Sequence, residues 1–312
     1  MALLSVIIPS YNEEDNIART AARLREVLSE AEIPYELLFI SDGSRDRTFE
    51  EIRKAAAVDK HVKGYEFSRN FGKEAAIFAG LSRAQGNCAV VIDCDLQHPP
   101  EMIPKMFKLW KEGYDVVEGV KSDRGDEGKL HKLFVNTFYG VMSKLMKINM
   151  NDTSDYKLLD RKVVDVFLEL TESNTFFRAL SFWVGFKSVS ISYEVQERTA
   201  GESKWSFFSL LKYAIMNTTS FTTAPLQIVT FLGIFSIAMA VIMGVQTLIR
   251  YFMGNAVEGF TTVILLVLMI GGFIMLSLGI IGHYLARIYD EVKGRPRYII
   301  ARETGQEEQK HE

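Results

Sequence analysis

The sequence predicts an α/β domain built on a largely parallel sheet, followed by interfacial helices and a two-helix transmembrane hairpin. Three observations predict it. Short apolar runs alternate with helical patterns over residues 1–120. The loops after those runs are unusually polar. Charged residues pepper the chain up to Lys212 and then nearly vanish until Arg287.

Strands are expected at Leu4–Ile8, Leu37–Ile40, Val62–Phe67, Ala89–Ile92 and Asp115–Val117, and helices at Glu14–Glu30, Thr48–Ala57, Glu74–Ala84 and Pro100–Glu112. Alternation at this spacing builds a parallel sheet with helices on both faces. Ligands of such sheets bind beyond the carboxyl ends of the strands. The loops to inspect are therefore 9–13, 41–44, 68–70 and 93–95.

Further along, Lys204–Phe221 mixes Trp205, Phe207, Phe208 and Tyr213 with two lysines, the composition of a helix lying in the headgroup region. Lys129–Lys147 places Leu130, Leu133, Phe134, Phe138, Val141, Met142 and Leu145 at helical spacing; it either lies at the interface or packs on its own domain. Leu226–Ile249 and Gly259–Gly282 are each free of formal charge. Each exceeds the roughly 20 apolar residues that a helix needs to cross the hydrocarbon core. Arg250 is the one basic residue of the short connector, whereas Lys204 and Lys212 precede the pair and Arg287, Lys293, Arg295 and Arg297 follow it. This asymmetry predicts a multi-pass protein of the cytoplasmic membrane with both termini cytoplasmic. Glycines 271, 272, 279 and 282 either thin one side of the second helix for homo-oligomer contacts or reflect ordinary glycine use in membrane helices. The expected organisation is an α/β domain over 1–200, an amphipathic segment over 201–223, spans near 225–249 and 260–284 within 224–289, and a cytoplasmic tail over 290–312, disordered from Arg302.

A net charge of −3 gives no reason to expect nucleic-acid binding. Cys88 and Cys94 have no partner at metal-ligand spacing and read as buried, reduced thiols. The first residues carry no basic region and Pro9 interrupts their apolar run, so a signal peptide is not expected.

One loop carries recognisable chemistry. After the fourth strand comes Asp93-Cys94-Asp95. In extended backbone alternate side chains share a face, so the two aspartates point together. Two hard carboxylates there suit Mg²⁺ or Mn²⁺, which would in turn hold a diphosphate.

The ordered segments SVIIPSYNEEDNI, SDGSRDRT, SRNFGKEAAIFAGLSRAQG, VVIDCDLQHPPE, SDYKLLDR and QERTAGESKWSF together resemble the inverting glycosyltransferase family 2. More narrowly, they are similar to the polyprenyl-phosphate glycosyltransferases related to dolichol-phosphate mannose synthase and to the bacterial enzymes that glucosylate undecaprenyl phosphate. The resemblance covers residues 3–215 and implies a GT-A (Rossmann-like) catalytic domain; the C-terminal hairpin matches the bacterial subgroup. It further implies that Pro9, Tyr11, Asn12 and Glu13 form the first nucleotide-binding loop and that Asp42 contacts base or ribose. It assigns Asp93 and Asp95 to the metal, Gln97 to the neighbourhood of metal and diphosphate, and Asp155 to turnover. Lys121, Arg124, Arg198, Ser203 and Lys204 fall where relatives bind phosphate near the membrane. Three departures stand out: Ser41 for the usual first Asp of Asp-Asp-Gly-Ser, His98 for Asp, and Lys121 for Arg. A lysine binds phosphate without the bidentate fork of arginine.

The implied reaction transfers a hexose from a nucleotide-sugar to a polyprenyl phosphate, supplying a lipid-linked donor for the cell envelope. UDP-glucose is the first expectation for the donor, then UDP-N-acetylglucosamine, then GDP-mannose. A metal neutralises the departing diphosphate, and the acceptor phosphate is already anionic near neutral pH. Asp155 is then either a base or an orienting group, with a turn cap beside Thr153 and Ser154 as the structural alternative. Processive polysaccharide synthases carry Gln-x-x-Arg-Trp and more spans, whereas this chain reads Gln196-Glu197-Arg198 with Trp205 further on. A non-catalytic, nucleotide-binding membrane scaffold is the alternative from outside enzymology, and the Asp93, Asp95 and Asp155 set argues against it.

Overall fold

The structure is a computed structural model that describes residues 2–121, 154–170, 172, 177–193, 224–254 and 259–305. The chain divides into two compact units, Met1–Lys204 with Pro296–Glu312, and Trp205–Arg295.

The first unit holds an eight-stranded sheet. Its strands are β1 (Leu4–Ser10), β2 (Tyr35–Ser41), β3 (Val62–Phe67), β4 (Cys88–Val91), β5 (Val116–Lys121), β6 (Lys157–Asp160), β7 (Ser188–Tyr193) and β8 (Ile300–Glu303), in the order β7-β5-β6-β4-β1-β2-β3-β8. The β1–β2, β1–β4, β2–β3 and β5–β7 pairs are parallel, while β6 is antiparallel to β4 and β5, and β8 to β3. Six strands therefore run one way and only β6 and β8 run against them. Helices α1 (Ile17–Glu30), α2 (Thr48–Val58), α3 (Lys73–Arg83) and α4 (Ile103–Lys111) connect the first five strands, and α5 (Arg161–Glu169) and α6 (Phe177–Trp183) follow β6.

Burial on both faces explains the continuous apolar character of the central strands. Val6, Ile8, Leu37, Phe39 and Val90 pack with Leu24 and Leu28 of α1, whereas Ile7, Leu38, Ala89 and Val91 pack with Ile77 and Leu81 of α3. Both cysteines are buried and free.

Two expectations change at the edges. The fifth strand runs on to Lys121, and β6, β7, α5 and α6 lie beyond the expected elements. β6 opens with Lys157, fully buried, so its composition does not read as a core strand. The stretch from Arg302, expected to be disordered, begins inside β8: Arg302 pairs with Glu66 and its guanidinium lies 4.8 Å from the Phe49 ring centre. These contacts order a polar segment that has no apolar run of its own.

The second unit contains α7 (Ala224–Phe252) and α8 (Phe260–Val292). Both are long and apolar enough to cross a membrane, α8 running past the expected boundary, and their large apolar side chains are exposed around the helix. Phe235 and Phe273 bring them together edge to face at 6.2 Å. The interfacial segments expected at 129–147 and 204–221 lie outside the described residues.

Candidate active site

Loops at the carboxyl ends of β1 to β4 enclose a cleft of about 330 Å³ that includes Pro9, Tyr11, Glu13, Asp42, Lys73, Asp93 and Asp95. Side chains tie the loops together. Asn12, in the left-handed region at φ 55°, accepts the Arg45 amide at 2.9 Å and donates its own amide to Ser44 Oγ. The Glu13 amide donates to Thr48 Oγ1 at 2.8 Å. Asp42, almost fully buried, accepts the Phe71 and Gly72 amides at 2.7 and 2.9 Å. Burial raises its pKa more than these bonds lower it. Gly43 sits at φ 62°, and a Cβ there would come within 2.3 Å of the Arg69 carbonyl carbon, so the joint between the second and third loops requires glycine. Asn12 and Asp42, expected as nucleotide contacts, thus also organise the loops.

Asp93 and Asp95 both reach the cleft. Thr20 Oγ1 of α1 donates to the Cys94 carbonyl at 2.7 Å and fixes the turn between them. The Gln97 amide donates to Asp95 Oδ1 at 3.0 Å, with Leu96 left-handed at φ 57°. Burial raises the Glu13 carboxyl pKa, and the charges of Asp95 and Asp93 raise it further. Crowded oxygen donors of this kind fit Mg²⁺ or Mn²⁺. Among the described residues no three protein ligands are already gathered, so such a cation would complete its shell with diphosphate oxygens and water.

A second charged group faces this pair. Lys73, the first residue of α3, bridges Asp93 at 2.6 Å and Asp155 at 3.0 Å. Burial opposes its charge, but the two carboxylates prevail and raise its pKa. Asp155 is only 6% exposed and takes a two-pronged contact from Arg178, Nε at 2.7 Å and Nη2 at 2.9 Å. Burial pushes its carboxyl up, yet Arg178 and Lys73 together hold it well below the usual carboxylate range. A group so strongly acidic is a poor proton acceptor and a good fixed anion.

Behind Asp155 lies a supporting layer. Lys157 and Glu118 stand opposite one another on β6 and β5 and pair at 3.1 Å. Glu118 accepts the Ser154 amide at 2.8 Å, and Lys157 donates to the Arg178 carbonyl at 2.9 Å and to Ser181 Oγ. Glu74 accepts the Phe177 amide at 3.0 Å, joining the starts of α3 and α6. His98 stacks on Tyr156 at 4.9 Å, with Nδ1 3.8 Å from Asp93 Oδ2.

The structure therefore gathers Pro9, Tyr11, Glu13, Asp42, Asp93 and Asp95 around one cleft, with Asp155 joined to it through Lys73. Lys121 ends β5, while Arg124, Arg198, Ser203 and Lys204 lie outside the described residues. Sequence reasoning missed Lys73, Arg178, Lys157 and Glu118. Lys73 lies inside the SRNFGKEAA segment at a helix start and Lys157 inside SDYKLLDR, both usable signals; Arg178 and Glu118 lie in stretches with no local pattern.

A mainly parallel sheet whose strand-end loops form a cleft bearing an acid pair is a GT-A-like arrangement. Residues 5–167 match the family model described as glycosyl transferase family 2, and the chain belongs to that family. It is 42% identical over 303 residues to an uncharacterized glycosyltransferase, YkcC, of Bacillus subtilis (strain 168), covering 96% of this chain and 94% of that one. It is 37% identical to the SfII prophage-derived bactoprenol glucosyl transferase of Shigella flexneri, covering 95% and 97%. Among solved structures, glucosyl-3-phosphoglycerate synthase from Mycobacterium tuberculosis, in complex with Mn²⁺, UDP-glucose and phosphoglyceric acid, shares the fold at TM-score 0.51 and 16% identity, over 71% of this chain and 81% of that one.

Proposed function

We propose that this glycosyltransferase moves glucose from UDP-glucose to undecaprenyl (bactoprenol) phosphate with inversion, making a lipid-linked sugar for cell-envelope glycosylation. The observation that carries the reading is the near-full-length similarity to a bactoprenol glucosyl transferase, a match whose extent takes in both apolar helices as well as the α/β unit.

The site's charges suit this chemistry. Asp93 and Asp95, with Glu13 beside them, would hold Mg²⁺ or Mn²⁺, which when bound neutralises charge on the departing diphosphate. Pro9, Tyr11, Asn12, Asp42 and Gln97 belong to the nucleotide side. The acceptor phosphate is itself an anion near neutral pH, so the reaction needs no strong base. Asp155, kept ionised, then serves to hold Lys73 and Arg178 in place and to orient the sugar or acceptor. Lys121, Arg124, Arg198, Ser203 and Lys204 are assigned to the lipid phosphate, where positive charge offsets repulsion between two phosphate-bearing substrates.

The second apolar helix is followed by β8, which pairs into the same sheet as β1–β7. This supports a hairpin whose two ends share one side of the cytoplasmic membrane, and the flanking basic residues favour the cytoplasmic side. The glycines of α8 suit assembly into a homo-oligomer.

Membranes carrying the protein are to be given undecaprenyl phosphate and labelled UDP-glucose, UDP-N-acetylglucosamine or GDP-mannose. Label should enter the organic phase with UDP-glucose and require the lipid phosphate. Label that stays aqueous, or that follows another donor, overturns the assignment. For topology, a cysteine replacing Asn255 should react with an impermeant reagent from outside, and one in the C-terminal tail should not; the reverse pattern refutes the orientation.

A further inference from the structure

Residues 296–305 return to the α/β unit and run along β3 and α3. Ser68 donates its amide to the Ile299 carbonyl at 3.0 Å, and Thr304 donates its own to Gly64 at 2.9 Å. Two side chains reach further. The Tyr298 ring lies flat on Phe67 at 5.1 Å, and its hydroxyl bonds Ser82 Oγ at 2.8 Å. The Arg297 guanidinium lies 4.6 Å from the Phe78 ring centre and donates to the Leu170 carbonyl.

Of their partners, Leu170 follows α5, while Phe67, Phe78 and Ser82 belong to the two elements that shape the donor cleft. β3 runs directly into the loop whose Phe71 and Gly72 amides hold Asp42, and α3, which carries Phe78 and Ser82, begins at Lys73. Toward the sheet, α3 presents much of its surface as Ala75, Ala76, Ala79 and Gly80. A Cβ on Gly80 would meet Ile7 at 2.3 Å. Ile77, Phe78 and Leu81 anchor one part of the helix in the core, whereas Ala75, Ala76 and Ala79 bury little apolar area of their own. Tyr298, with Phe71 and Ile300, packs against that small-residue cluster and adds apolar contact where the helix itself supplies little. Only Lys293–Arg295 separate this brace from the end of α8.

We infer that Arg297 and Tyr298 are positioning residues: they hold α3 and the β3 loop so that Lys73 and Asp42 stay in register with Asp93 and Asp155. Formation of the site for a nucleoside-diphosphate sugar thereby depends on the segment that emerges from the second apolar helix. The kinetic part of this inference rests on the reaction proposed above; the donor-binding part does not.

The test uses the full chain in detergent, comparing wild type with Tyr298→Ala, Tyr298→Phe and Arg297→Ala. Four quantities are measured: thermal stability, UDP-glucose affinity by calorimetry, and kcat and KM for transfer to undecaprenyl phosphate. Tyr298→Ala should weaken donor binding about tenfold and lower kcat/KM by about 10- to 100-fold, the scale set by small misplacements of site groups. Tyr298→Phe keeps the stacked ring, loses one hydrogen bond, and should stay within about threefold of wild type. Leu28→Ala in α1, a core truncation on the opposite face of the sheet from α3, sets the baseline: a lower Tm with donor affinity and kcat unchanged. If Tyr298→Ala behaves like Leu28→Ala, with wild-type affinity and kcat, the inference is overturned. Should Tyr298→Ala not fold, Arg297→Ala decides by the same readouts. Wild-type protein that binds UDP-glucose but transfers nothing to the lipid refutes the proposed reaction, and donor affinity alone then decides the positioning role.

Discussion

Asp93 and Asp155 share Lys73 yet sit in opposite surroundings. Asp93 lies in the loop after a parallel strand, is partly open, and apart from Lys73 is grouped with the carboxylates of Asp95 and Glu13. Asp155 is buried, held by Lys73 and Arg178, and backed by the Lys157–Glu118 pair. One half of the site is short of positive charge and the other is supplied with it. A region with more carboxylates than nearby cations draws a further cation, whereas a fully compensated carboxylate is fixed and stays ionised. Under the proposed function, the first half would bind the donor and the second would orient groups during turnover.

The largest effect expected is on the open half. Asp95→Asn should lower transfer roughly 10²- to 10³-fold, the scale of removing one charge-stabilising group. Asp95 is exposed, so its thermal stability should be unchanged. Chelation of divalent cations should mimic it, and full activity in EDTA would break the comparison on this side.

Lys157→Met sharpens the closed half. It leaves Glu118 buried without its cation, which should cost about 3–5 kcal/mol in thermal unfolding. Adding Glu118→Gln should recover part of that loss. No recovery would mean that the pair is not the unit supporting Asp155.

A smaller effect belongs to the joint between loops. Gly43→Ala should cost at least about 1–2 kcal/mol because its φ is left-handed, and the contact with Arg69 backbone adds to this. An unchanged Tm would show that this close approach is dispensable.

The smallest effect is a pH dependence at Glu74, whose carboxyl is pushed up to about 7 by burial and by the charge of Asp155. A raised folded-state pKa means that its contribution is full below the ordinary value of 4.5 and is lost as pH rises through about 7. Glu74→Gln should therefore be more stable than wild type near about pH 8, the gap closing toward about pH 4. A constant gap across that range would refute the shift.

The open half was legible in the sequence because its parts are local. Val- and Ile-rich runs marked β1 and β4, the polar loops followed them directly, and Asp93 and Asp95 identified each other by spacing. The closed half was not. Lys157 and Glu118 are charged residues that composition assigns to a surface, and only the antiparallel pairing of β5 with β6 makes each the other's partner. Arg178 reaches Asp155 from a seven-residue helix without a motif. β8 was missed for the same reason: Arg302 is a core-edge residue only because Glu66 and Phe49 await it. Asp155 itself was singled out through resemblance, and under the proposed function its cradle favours the orienting role over the base.

The most direct test of this division compares Asp93→Asn with Asp155→Asn for UDP-glucose affinity in the presence of Mn²⁺, alongside single-turnover transfer from bound donor to undecaprenyl phosphate. Asp93→Asn should lose donor affinity by about tenfold or more, the cost of one charge-assisted contact. Asp155→Asn should bind the donor within about threefold of wild type, yet transfer from it at least about 100-fold more slowly. Equal loss of donor affinity in both variants would contradict the account, because the two carboxylates would then serve a single function.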